Sequence, residues 1–212
     1  MSREFLARRE EARVHIVRLA PPPSLVAADL AACLRAIGAG DEVLGGVALL
    51  GLSLPGFAPV LDAVLVTPRG VLVVTGVDLP DPAVRLDAPI DGPWLVDGWR
   101  LRLPGGADNP VPWALAATSA VAVRLQRTGG SLPEVHTVVA VGPYAGTVVR
   151  PDGDAGRGLH VLAPSTRGLV HLATGIGDPR RRAGAAGAAG VLRILAPTLR
   201  PTAADLRAEG FA

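Results

Sequence analysis

The stretch that most constrains the fold is LDAVLVTPRGVLVVTGVDLP, residues 61 to 80. Val64 to Val66 run apolar, Pro68-Arg69-Gly70 supplies turn chemistry, and Val71 to Val74 run apolar again. Short β-branched runs on either side of a Pro/Gly turn read as strand, turn, strand. Asp62 stands at the mouth of the first strand, an acid beside an otherwise apolar sheet.

The rest of the chain can be ordered around that hairpin. Residues 3 to 18 read as a charged helix or arm, ended by Pro21-Pro22-Pro23. Ser24 has the chemistry of an N-cap for a helix through about Ile37, with Leu25, Leu30, Cys33, Leu34 and Ile37 on its buried side. A short helix or strand covers Glu42 to Leu50. Trp94, Val96, Trp99, Leu101 and Leu103 alternate around Asp97-Gly98, which predicts a hairpin on the edge of the sheet. Asn109-Pro110 opens an apolar helix from about Val111 to Gln126, expected to be buried against the sheet. Val135 to Val141 reads as a core strand, with shorter strands at Thr147 to Val149 and Leu159 to Leu162.

Ser165 begins a helix to about Thr174, Asp178-Pro179 caps a long one, and the tail reads as one more short helix. Strands come first and then alternate with helices, which predicts an α/β or α+β domain around one sheet. The expected organisation is a charged arm over 1–23, an α/β core over 24–175 and a helical extension over 176–212. At 212 residues the chain is long enough for one domain with a full hydrophobic core.

Composition narrows the function. Apolar residues make up 49% and charged residues 19%, so the chain should fold rather than stay disordered. Aromatics are only 3%, which argues against base-stacking platforms for single strands. The formal charge of +2 is small for a protein that coats DNA, so it allows modest nucleic-acid affinity without demanding it. All 21 basic residues are arginine. Cys33 is the sole cysteine, so no intrachain disulfide can form, and a cytoplasmic setting fits. The four histidines show no zinc spacing.

Val43 to Leu61 carries no charge, but Pro55, Pro59 and four glycines break it into short runs, so no membrane span is expected. Neither a phosphate-loop nor a dinucleotide fingerprint is complete, and Ser119 and Ser165 lack a nucleophile-elbow setting. His136, on a core strand, reads as a packed histidine.

Several stretches taken in order resemble the nuclease-related domain family, a branch of the restriction-endonuclease-like fold. They are GAGDEVLGGVALLGLSLPG, VLDAVLVTPRGVLVV, DGPWLVDGWRLRL, NPVPWALAATSAVAVRL and VHTVVAVG, spanning roughly Gly38 to Gly142. The resemblance implies one restriction-endonuclease-like domain, with a central mixed sheet flanked by helices and extra helices at both ends. It also implies a Mg²⁺ site, in which carboxylates hold the metal beside a phosphate and a lysine serves the attacking water.

Asp62 matches the family's first metal-binding acid, and Glu42 a glutamate that often joins the site. The second acid and the lysine fall at Thr75 and Val77, and an expected glutamine is Trp113. Asp78, three residues on, is a candidate displaced ligand. With no lysine in the chain, and arginine unable to act as a base, the resemblance implies a scaffold kept and an active centre stripped. Asp62, Glu42 and Asp78 are therefore remnant candidates, with Asp62 the one weak metal candidate and Mg²⁺ the cofactor only if residual activity survives. An acid at a strand start or an Asp-Glu pair at a helix entry is equally an ordinary structural feature.

Arg180, Arg181 and Arg182 are the sharpest basic feature. Expected in the first turn of a helix, they oppose its macrodipole and would be relieved by nucleic acid or an acidic protein partner. Solvated arginines are the plainer account. Gly184, Gly187 and Gly190 either permit close packing or reflect Ala/Gly drift. The expectation is a non-cleaving nuclease-related domain that binds nucleic acid or a protein partner. Its alternatives are a divergent Mg²⁺-dependent nuclease and a structural partner protein.

Overall fold

The structure is a computed structural model that describes residues 14–21, 23–37, 45–126, 134–142, 145–149, 158–177 and 182–211. Its centre is a mixed sheet of six strands in the order β1-β2-β3-β4-β8-β10. These are β1 (Val14–Arg18), β2 (Gly46–Leu54), β3 (Phe57–Val66), β4 (Val71–Asp78), β8 (Val135–Gly142) and β10 (Leu159–Leu162). The β2-β3-β4 meander is antiparallel, and the flanking pairs β1–β2, β4–β8 and β8–β10 are parallel. The opening stretch is thus the middle of the sheet. Thr67 closes its turn, its Oγ1 accepting from the amides of Arg69 and Gly70.

Near-continuous apolar strands need cover on both faces. One face packs on α1 (Val26–Ala36) and α3 (Thr166–Gly175), where Leu30, Leu34, Leu169 and Ala173 meet Leu50, Leu65, Leu72 and Val74. The other packs on α2 (Val111–Gln126), α4 (Ala185–Leu195) and α5 (Ala203–Ala208), where Ala117, Val121, Leu192 and Leu206 meet Leu49, Val64, Val71 and Val73. The uncharged run from Val43 is, over its described residues, β2 and the start of β3. No helix among the described residues is long and apolar enough to cross a membrane.

Several expectations need correction. The N-terminal arm contributes Val14–Arg18 as an edge strand parallel to β2, because Val14 and Ile16 pack on the α1 side of the sheet. The Asp97-Gly98 hairpin does not extend the main sheet. Its strands β6 (Leu95–Val96) and β7 (Trp99–Arg100) join β5 (Ala83–Asp87) and β9 (Ala145–Val149) in a second sheet, ordered β7-β6-β5-β9. That sheet closes on a third cluster built around the fully buried Trp94, whose indole N–H donates to the Pro89 carbonyl. Asn109 ties this layer to α2 by accepting from the Val111 amide and donating to the carbonyls of Ile90 and Gly92.

α4 starts at Ala185, after Arg182 rather than around it, since the Gly184 N-cap is where the chain becomes helical. α2 is buried along one face only. Gly187 and Gly190 have no atom within 4 Å of where a Cβ would stand, so they are not close-packing positions.

Gly76 is the opposite case. A Cβ there would overlap the Ser24 hydroxyl and lie 2.7 Å from Ser24 Cβ and Val26 Cγ1. We therefore expect Gly76→Ala to destabilise the protein by roughly 1–3 kcal/mol. Gly187→Ala, in an exposed helical turn, should stabilise it by about 0.5–1 kcal/mol. Chemical denaturation of the two variants checks both signs.

Candidate functional site

Where β4 and β8 end, the N-terminus of α1 arrives side-on, and the two candidate acids of the opening stretch meet it. β2 and β3 kink together at Gly51 and Asp62. Gly51 has a φ of +68°, and the side-chain alternation of both strands shifts there. A left-handed glycine lets the strand turn over there without an inserted residue: Leu50 with Ala63 and Leu52 with Leu61 stay in one register, and the register shift comes later, between Leu52 and Leu54. The regular β3–β4 pairing stops at Ala63 and Val74. Asp62 is the next residue along β3, and its carboxylate takes the place of the ladder.

The carboxylate accepts three hydrogen bonds. The Gly76 amide donates to Oδ2 at 2.7 Å, while the Ser24 hydroxyl and amide donate to Oδ1 at 2.5 and 3.1 Å. The residue is only 1% exposed. Asp78, at the end of β4, accepts from the amides of Leu25 and Val26, both at 2.9 Å. Those amides belong to the first turn of α1, where helical N–H groups lack intrahelical partners and negative charge is favoured. Ser24 is thus not the N-cap that its chemistry suggested. Leu25 holds that position with no side-chain cap, and the cap comes from Asp78, 52 residues away.

Close approach makes this possible. Gly76 on β4 and Gly142 on β8 leave room for Ser24 and Val26; a Cβ on Gly142 would stand 2.8 Å from Val26 Cγ2. Along β4, Val71, Val73, Thr75 and Val77 face α2 and the Trp94 cluster, whereas Leu72, Val74, Gly76 and Asp78 face α1. The slots at Thr75 and Val77 therefore point to the α2 side, away from the α1 side where the Asp62 carboxylate is taken up. Thr75 is buried with its hydroxyl unpartnered, and Val77 is core.

The structure brings Asp62 and Asp78 together, Asp78 on the first amides of α1 and Asp62 on Gly76 and on Ser24, the residue just before the helix cap. Glu42, Arg180 and Arg181 lie outside the described residues; Arg182 is described and exposed. Among the described residues no group of three His, Cys, Asp or Glu side chains could hold a metal ion. His136 lies largely buried on β8 as expected, its Nε2 3.4 Å from a Glu134 carboxylate oxygen. Ser24 and Gly76 are the members of the site that sequence reasoning missed. The signal was available in Gly76, since glycine inside a strand marks close approach of another backbone.

Burial raises the Asp62 pKa above the ordinary carboxyl range, more than the Ser24 hydroxyl and the Gly76 and Ser24 amides lower it, and the charge on Asp78 adds to the rise. Compared with protein-family models, with curated proteins and with solved structures, the chain matches none.

Two outcomes follow. Asp62→Asn keeps the shape but turns an amide N–H₂ toward a donor, either Gly76 N–H or Ser24, and should cost roughly 1–3 kcal/mol in urea denaturation. A raised folded-state pKa means that the folded protein holds this proton where the unfolded chain, with a pKa of about 4, has released it. The stability owed to that proton is complete below about pH 4 and lost as the pH rises through the raised value. Wild type should therefore lead Asp62→Asn by most at low pH, and the gap should narrow upward. A gap independent of pH would show that Asp62 titrates normally.

Proposed function

We propose that this chain is a non-cleaving, nuclease-related domain of restriction-endonuclease-like ancestry that works as a binding or scaffold module. The observation that carries the reading is that Asp78 is taken up by the N-terminal amides of α1 and Asp62 by Ser24, just before it, and Gly76. Metal-dependent phosphodiester cleavage needs carboxylate oxygens free to take a hard cation and a base near the attacking water. Here five N–H and O–H donors occupy the two carboxylates. The acid-x-lysine slot reads Thr75-Gly76-Val77, and no lysine exists to fill it. The central mixed sheet with helices on both faces is compatible with that ancestry.

The partner on this reading is a protein surface or, more weakly, nucleic acid through arginines such as Arg182. The modest charge of +2 favours the former. The competing reading, a Mg²⁺-dependent nuclease using Asp62, Asp78 and Glu42, requires Ser24, Gly76 and α1 to release the two carboxylates.

Supercoiled and linear DNA incubated with the protein in EDTA, Mg²⁺ or Mn²⁺ separates these readings. The expected result is no nicking in any metal. A mobility shift without nicking assigns the module to nucleic acid, and no shift at low salt assigns it to protein. Metal-dependent nicking that disappears in Asp78→Asn would overturn the proposal.

A further inference from the structure

β1 (Val14–Arg18) is an edge of the main sheet, paired in parallel with β2 on one side. The Leu19 amide donates to the Leu50 carbonyl. Backbone groups alternate in direction along a strand, so His15 and Val17 share the direction of Leu19 and bond β2. The amides and carbonyls of Val14, Ile16 and Arg18 therefore point outward, and no described residue pairs with them. β1 keeps one unbroken register with β2 and contains no proline, so neither a bulge nor a missing N–H guards this edge. On the α5 side of β1 lies a hollow of about 340 Å³, walled by Val17, Leu192 and Leu206. The more exposed His15, Asp205 and Glu209 also line it.

We infer that this edge takes up an extended segment of a partner protein as one more strand, with a lysine or arginine of that segment entering the hollow. Bare amides and carbonyls along a strand are met in register by another extended chain. An added strand turns alternate side chains to the α5 side, where the hollow lies beside His15 and Val17. The apolar wall suits the methylene stem of a long basic side chain. Glu209 selects the charged head. No described residue hydrogen-bonds its carboxylate, and His15 Nδ1 stands 3.8 Å from its Oε1, beyond hydrogen-bond range. Burial raises the Glu209 pKa, with His15 opposing the rise and Asp205 adding to it. Arg200 lines the same hollow but turns Nη1 to the Pro197 and Leu199 carbonyls of its own loop.

The same acids disfavour the other occupants. A second copy pairing β1 with β1 would do so about a two-fold axis perpendicular to the sheet. Both α5 helices would then stand on one side, and Glu209 and Asp205 of each copy would face their counterparts, acid toward acid. Nucleic acid brings phosphates to those carboxylates and has no strand to pair. The inference rests on the binding-module reading and gives that module a partner chemistry. Peptide binding can fail without any nicking of DNA, so the two failures are distinguishable.

The test is a titration of the full chain, labelled with nitrogen-15, with the end-blocked peptide Thr-Val-Thr-Lys-Thr-Val-Thr. Its alternation puts the lysine between two valines on one face of the added strand. Saturable binding with a Kd on the order of 100 μM is expected, and the peptide should slow hydrogen exchange of the Ile16 and Arg18 amides. The same peptide with glutamate in place of lysine should bind about tenfold more weakly or worse. Glu209→Gln should weaken the lysine peptide about threefold or more, with unchanged circular dichroism. Glu209→Arg should reverse the preference and favour the glutamate peptide. No binding at millimolar peptide, binding that leaves Ile16 and Arg18 exchanging as before, or equal affinity for the two peptides would overturn the inference. So would self-association of the chain that already protects these two amides before peptide is added.

Discussion

Two carboxylates on neighbouring strands, Asp62 within β3 and Asp78 at the end of β4, hold the first helix and the chain leading into it to the sheet, and much else in the molecule is arranged around that attachment. A helix N-terminus presents unpaired amides and a partial positive charge. Burying it against strand ends requires acceptors that the sheet backbone does not have to spare. Asp78 supplies them to Leu25 and Val26. Asp62 reaches Ser24 on the chain leading in and ties it to the Gly76 amide, which the end of the β3–β4 ladder has left free. Gly76 and Gly142 lack side chains where Ser24 and Val26 press down. The kink at Gly51 and Asp62 turns the carboxylate to that side of the sheet.

This arrangement gives an acid-bearing hairpin a structural use. A metal site and a helix anchor ask for the same residue, an acid on a strand, but they use its oxygens differently. A metal site leaves lone pairs open to a hard cation, whereas here the lone pairs face N–H and O–H donors. The tension remains visible in Asp62, whose burial favours the neutral acid while its three donors favour the anion. Thr75 and Val77 face the other side of the sheet with a hydroxyl and an apolar side chain, so neither adds an acid or a base to this pair of carboxylates.

Much of the fold was legible in the sequence because it is written in local chemistry. The hairpin turn at Pro68-Arg69-Gly70 and the helix after Asn109-Pro110 formed where turn and cap residues placed them. Ser165 caps α3 as expected, through the Gly168 amide. The misreadings were those in which a distant partner overruled a local preference. Ser24 has N-cap chemistry, yet a carboxylate 38 residues away claims its hydroxyl and another caps the helix. Val14–Arg18 looked like a charged arm because its flanks are charged, but its own apolar residues suit a sheet edge. The Trp94 hairpin alternates like any edge strand, but its pairing with β5 and the cluster around Trp94 place it in a separate layer. Which face of the sheet receives Asp62 depends on the kink opposite Gly51, which residue type alone does not announce.

The central claim is that α1 is anchored by these two carboxylates, and amide hydrogen exchange at Ser24, Leu25, Val26 and Gly76 tests it most directly. The account predicts that all four amides exchange slowly, that Leu25 and Val26 lose their protection in Asp78→Ala, and that Gly76 keeps its own. Four amides that exchange as fast as those of an open turn in the wild-type protein would contradict it, since the carboxylates would then be free for other chemistry.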